Sequence, residues 1–220
     1  MSGAFTKNAG TNAIWCRIAA GKIVRSATED TPGAVKVEKK KNGQGTGEFR
    51  WELHDDQVTG KIVGLRVQEQ EFGGETTRQL IVCLSYVGER INVTLKEGDR
   101  YWRGFMYRLP NIKLNENITF SPYDFETKEG SRKIGLNIIQ NEAKVPTAFT
   151  KENSGGMPDM QYVMYKGKER PDFSAQDKWL NDNILLPINA KLSELLTVAA
   201  GPVAAGQAMP EPEEEDDLPF

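Results

Sequence analysis

The chain has 220 residues, 38% hydrophobic and 27% charged, the balance of a soluble chain long enough to bury one elaborated core. No window approaches the roughly 20 apolar residues of a membrane span, and the residues after Met1 lack a basic-then-apolar leader, so no membrane association and a cytoplasmic location are expected. The 28 basic and 31 acidic residues are unevenly placed: without Glu211, Glu213, Glu214, Glu215, Asp216 and Asp217, 28 basic face 25 acidic, so a cationic body carries an acidic tail.

In chain order, residues 14–25 and 47–53 have strand composition, joined by a basic, Gly-rich stretch from Lys39 to Gly45 that reads as a mobile hairpin tip. Gly43, Gly45 and Gly47 lack the Gly-Lys-Ser/Thr ending of a phosphate loop. Residues 58–70 alternate around Leu65 and Val67, with Arg66 and Gln68 on the other side, the period of a half-buried strand. A turn at 72–75 leads to a second strand over 77–86, with Leu80, Val82, Leu84 and Tyr86 on one face. Gly88 then turns the chain into a third strand over 89–95.

The period changes at 99–109, where Trp102, Phe105, Met106 and Leu109 follow helical spacing behind an Asp99 cap, predicting a helix that ends before Pro110. Strands are predicted again at 116–124 and 131–140. Ser174 and Asp177 suggest a weak capping box for a later helix, which Pro187 ends or kinks while Ile188, Leu192 and Leu195 continue an apolar stripe. Residues 198–210 are small and rich in Pro and Gly, a flexible linker in composition. The expected organisation is therefore a folded body over 1–197 and a linker with acidic tail over 198–220.

Three strands, a helix and two strands form the element order of an OB-fold, a five-stranded Greek-key barrel with its helix between the third and fourth strands. The expectation is a mainly β protein of that class, with an N-terminal β-hairpin and a C-terminal helical extension.

The chemistry-bearing residues exclude more than they offer. Cys16 and Cys83 form no Cys-x-x-Cys pair and are expected to be buried free thiols. His54 is the single histidine, which removes paired-histidine metal sites and most His-based catalysis. The pair Asp55-Asp56 shows no third ligand nearby. No metal, no cofactor and no enzymatic activity are expected.

What remains is a set of basic and aromatic residues interleaved on strands: Trp15, Arg17, Arg50, Trp51, Arg66, Arg78, Tyr86, Arg90, Tyr123, Phe125, Lys128, Arg132 and Lys133. Guanidinium and ammonium groups hold phosphates while aromatic faces stack bases, so this mixture suits an unpaired polynucleotide without reading its sequence. A module for protein or oligosaccharide is the alternative use of the same barrel. The tail closes on an apolar, aromatic tip, Leu218-Pro219-Phe220, suited to a pocket with a basic rim.

The segment Asp216-Asp217-Leu218-Pro219-Phe220 resembles the acidic, phenylalanine-ended tip of bacterial single-stranded DNA-binding proteins, with Leu218 where isoleucine is usual. The larger N-terminal hairpin, Arg108-Leu109-Pro110-Asn111-Ile112 and the helical region after the barrel are more similar to single-stranded DNA-binding proteins of bacteriophages, as a loose pattern over residues 1–196. The resemblance implies that the barrel coats exposed single-stranded DNA. It also implies that the tail recruits replication, recombination or repair enzymes through Asp216, Asp217, Leu218, Pro219 and Phe220, and competes with DNA for the basic groove. Monomeric and homodimeric assembly are both compatible with it.

Overall fold

Tight turns set the frame. Ala20-Gly21, Val87-Gly88, Asn141-Glu142 and Lys166-Gly167 each place two successive residues at positive φ, the two-residue hairpin geometry that matches the right-handed twist of the strands it joins. The structure, a computed structural model, describes residues 13–41, 44–72, 75–150 and 152–200. Among them β1 (Ala13–Ala19), β2 (Lys22–Ala27), β3 (Val35–Lys41) and β4 (Gln44–Asp55) precede a meander of β5 (Val58–Phe72), β6 (Glu75–Tyr86) and β7 (Glu89–Lys96). After α1 (Arg100–Met106) come β8 (Asn117–Glu126), β9 (Arg132–Gln140) and the two-residue β10 (Ala143–Lys144). A separate ribbon, β11 (Gln161–Tyr165) and β12 (Lys168–Asp172), leads into α2 (Ser174–Leu180) and α3 (Leu186–Ala200).

The protein is mainly β, built on one large open sheet in the order β10-β9-β8-β5-β6-β7-β1-β2-β4-β3. The pairing of β1 with β7 is parallel, Ala13 beside Arg90 through Arg17 beside Thr94; the other pairings are antiparallel. Against one side of the sheet lies the core. Trp102, Phe105 and Met106 of α1 pack with Leu80, Leu84, Phe120 and Leu136, and the rings of Phe105 and Phe120 stack at 5.5 Å. Asp99 caps α1 as expected, its Oδ1 accepting the Trp102 N–H at 2.6 Å.

Several local expectations shift. The span 14–25 is two strands, because the chain reverses at Ala20-Gly21; a side chain at Gly21 would meet the Asp124 nitrogen at 2.6 Å. The predicted helix over 99–109 is shorter: α1 stops at Met106, and Leu109–Asn111 forms a 3-10 turn that admits Pro110 near its start, where no N–H is required. Ser174 does not cap α2. Its own N–H and Oγ donate to Asp172, and Asp177 turns to Arg103 instead. Nor does Pro187 end the helix, since a π turn at Asn181–Leu185 connects α2 to α3 just before it. Leu192 is buried and Ile188 packs on the core, while Leu195 stays exposed. Both cysteines are free and buried.

Candidate nucleic-acid interface

Residues directly opposite one another in neighbouring strands share a face, so register alone maps the side away from the core. One row crosses six strands: Arg66 of β5 faces Ile81 of β6, Ile81 faces Thr94 of β7, Thr94 faces Arg17 of β1, Arg17 faces Val24 of β2, and Val24 faces His54 of β4. The adjoining rows bring Cys83, Asn92 and Trp15 together, then Ser85, Arg90 and Ala13. Ile81, Cys83, Val24 and Asn92 are buried, forming a floor distinct from the main core cluster. Trp15 stands over this side 42% exposed. Within the floor, Asn92 Oδ1 has no hydrogen-bond partner among the described residues.

Glu52 organises the cationic end of this face. Its carboxylate, buried in β4, accepts from Arg17 at 2.7 Å, from Arg50 at 2.5 Å and contacts His54 Nε2 at 3.0 Å. Burial alone would push the Glu52 carboxyl up, but the bonds from His54 and Arg17 and the charges of Arg17 and Arg50 outweigh it and hold the group below its ordinary value. Each guanidinium has five N–H donors, so one bond to Glu52 orients Arg17 and Arg50 and leaves donors for a phosphate. Arg66 and Arg90 make no ion pair among the described residues.

The same side continues across β8 and β9. Lys61 of β5 faces Ser85 on one neighbour and Asn117 on the other, which places Tyr123, Phe125 and Lys133 on this side by alternation. Tyr123 faces Gly135 and Phe125 faces Lys133. The rings of Tyr123 and Phe125 are 5.9 Å apart, and Phe125 is half exposed. The turn at Gly21 abuts Tyr123 and Asp124, and its N–H donates to Tyr101 Oη at 2.9 Å. Thus the end of β1 meets β8 beside this pair of rings.

The remaining expected residues lie elsewhere. Arg78 shares the side of Leu80 and Val82 and pairs with Glu69 and Glu97, each at 3.3 Å. Tyr86 shares the side of Leu84, at a strand end. Arg132 is committed to Asp124 through two bonds of 2.6 Å, and Lys128 is exposed in the loop 127–131. Trp51 lies on the reverse of the β3–β4 hairpin, where Lys36 Nζ stands 4.9 Å from the Phe49 ring centroid and 5.9 Å from that of Trp51. Glu52, Lys36 and Phe49 were not expected from sequence, although the alternation Phe49-Arg50-Trp51-Glu52 carries their pattern. Asp216, Asp217, Leu218, Pro219 and Phe220 lie outside the described residues.

Among the described residues no group of three or more His, Cys, Asp or Glu side chains is placed to hold a metal, and no described helix is long and apolar enough to cross a membrane. Comparison with protein-family models, with curated proteins and with solved structures finds no match.

Proposed function

We propose that the protein belongs to the OB-fold class of nucleic-acid binders. In support, β9-β8-β5-β6-β7 are neighbours in the large sheet, and α1 falls between β7 and β8 in the chain and packs on β9 and β7. That is the barrel's strand order and helix position, and its ligand face is the second and third strands with the loop between the last two. These are β6, β7 and 127–131 here. The edge of β7 is taken by β1, so β7 meets β9 through α1 rather than by strand pairing.

Within that class, the protein is a sequence-tolerant single-stranded DNA-binding protein. It coats unpaired DNA with the outer side of β4, β2, β1, β7, β6 and β5, and recruits enzymes of replication, recombination or repair through its acidic tail. The observation that carries this reading is the row Arg66–Ile81–Thr94–Arg17–Val24–His54 with Trp15 and Arg90 beside it. Cations are spaced along one side, an exposed indole lies among them, and the floor offers no acid except the neutralised Glu52. The free donors of Arg17, Arg50, Arg66 and Arg90 suit phosphates, and Trp15 suits a base.

Titration with oligothymidylate, following tryptophan emission, tests it. Trp102 is 1% exposed and Trp15 42%, so quenching is expected from Trp15. Trp15→Phe should keep binding and lose most of the signal, whereas Trp15→Ala should weaken binding roughly tenfold, the loss of one stacked base. Affinity should fall by about 0.7 log unit per log unit of salt for each phosphate neutralised. Unchanged emission together with no mobility shift at low salt would overturn the proposal.

A further inference from the structure

The segment between the large sheet and α2 forms a ribbon of its own. β11 and β12 pair with each other and with no other described strand. Their register runs from Gln161 opposite Asp172 to Tyr165 opposite Lys168, closed by the turn at Lys166-Gly167. A two-stranded ribbon this short is marginal in water, and the body shelters neither of its faces: Tyr162 and Met164 on one are 56% and 71% exposed, and Tyr165 on the other is 50% exposed.

The Tyr165 face has a definite chemistry. The Arg170 guanidinium lies 4.9 Å from the Tyr165 ring centroid and Lys166 Nζ lies 5.4 Å from it, while Lys168 is directly opposite on the same face. The acid sharing that face, Asp172, lies at the other end of the ribbon, opposite Gln161, where its Oδ1 accepts from the Ser174 N–H at 2.9 Å and from Ser174 Oγ at 2.5 Å. Glu169 is on the reverse face, opposite Met164. Three cations therefore surround a flat ring, and none of them makes an ion pair among the described residues. A protein-docking patch keeps its charges at the rim of an apolar centre, and two copies of this cationic face would repel each other. A polyanion carrying flat, unstacked bases satisfies both the charges and the ring.

The ribbon is also rooted at the end of β7, the strand that carries Arg90 and Thr94 of the outer side. Lys96 ends β7 on that side, opposite Gln79. Past it, on the Arg78 side of the strand end, Asn181 Nδ2 donates to Glu97 Oε1 at 2.7 Å, and Arg103 pairs with Asp177 while stacking over Phe173 at 3.9 Å. These contacts tie the base of the ribbon to the end of β7 and to α1.

We propose that the β11–β12 ribbon is a second grip on single-stranded nucleic acid, holding phosphates with Lys168 and Arg170 and a base on Tyr165 once the strand has passed along β7. This rests on the reading of the outer side given above. The ribbon lengthens the occupied site and contributes only when the strand is long enough to reach it.

The full chain and its variants Tyr165→Ala, Tyr165→Phe and Lys168→Gln/Arg170→Gln are titrated with oligothymidylates of about 8 nucleotides, within the span of one barrel, and of about 30 nucleotides. Because these side chains are exposed, unchanged melting temperatures are expected. All variants should bind the short oligonucleotide like the parent. On the long one, Tyr165→Ala should weaken binding roughly tenfold and Tyr165→Phe should restore it, and the double substitution should lower the salt slope by about 1.4.

Equal affinity of parent and variants at both lengths overturns the proposal. So does an effect that disappears when residues 211–220 are removed, which would make the ribbon a dock for the tail, or a change confined to self-association, which would make it a contact between copies. If the parent binds neither oligonucleotide, both readings fall together. If Arg17→Gln/Arg66→Gln binds both lengths normally while the ribbon variants still weaken the long one, the ribbon stands and the outer-side reading falls.

Discussion

Glu52 is a buried acid whose value depends on its company. Its native carboxyl titrates below its ordinary 4.5, so between those two points the unfolded chain binds the proton more readily than the folded one. Stability from this group is therefore complete above about pH 4.5 and is lost as the pH falls through the lowered native value. Urea unfolding from about pH 6 to pH 3 should show that decline in the parent and a shallower one in Glu52→Gln. At pH 6 the variant should be less stable by about 1–3 kcal/mol, because two guanidiniums lose their charged acceptor. Cys16 behaves oppositely, with burial pushing its thiol up to about 11, and it should resist alkylation at neutral pH until the chain unfolds. That burial was legible from the residue type. The carboxylate cluster was not, since Arg17 and Glu52 meet only through the pairing of β1, β2 and β4.

At the level of elements, an ion pair ties α2 to α1 beside the apolar packing of the C-terminal helices. Arg103 and Asp177 make two bonds of 2.7 and 2.6 Å, with side chains 18% and 14% exposed. Removing either partner, as in Arg103→Gln or Asp177→Asn, should cost about 3 kcal/mol by leaving a largely buried charge unpaired. The double variant should cost less than the sum of the two, a coupling that chemical denaturation of all four proteins would measure. The cap of α1 could be read from Asp99 because capping is local. Asp177 has the spacing of a capping residue for α2, yet an arginine far away in the chain claims it, and no local pattern encodes such a pairing. The turn at Ala20-Gly21 escaped for a related reason: alanine seldom takes positive φ, so an apparently continuous strand concealed a reversal. The β11–β12 ribbon lacks the inside-out alternation that a core imposes, and without a buried face it left no period to read.

Across the whole molecule, alternation along each strand was more informative than the clustering of charges. Arg66 and Arg90 were recoverable because their strands keep one side for the core, and the same alternation already assigns Arg78 to the side of Leu80 and Tyr86 to the side of Leu84. What the residues did not reveal was the partner of β7, on which the continuity of the outer side from β6 to β4 depends. The charge division between body and tail also belongs to this scale. If the six acids compete with DNA for the cationic side, removing residues 211–220 should raise affinity at low salt and have little effect at high salt, where charge attraction is screened. Removing Leu218, Pro219 and Phe220 alone should leave DNA affinity unchanged at both. Gel-shift titrations of both truncations at two ionic strengths distinguish these outcomes.

The parallel seam between β1 and β7 also bears on biogenesis. β1 to β4 precede the meander in the chain and gain the seam with β7 only once β5, β6 and β7 are in place, a non-local closure that slows folding. In that interval β7 presents a bare margin that the equivalent strand of a neighbouring nascent chain could occupy. Crowded polysomes would then favour strand-exchanged dimers, whereas dilute refolding would yield self-contained molecules.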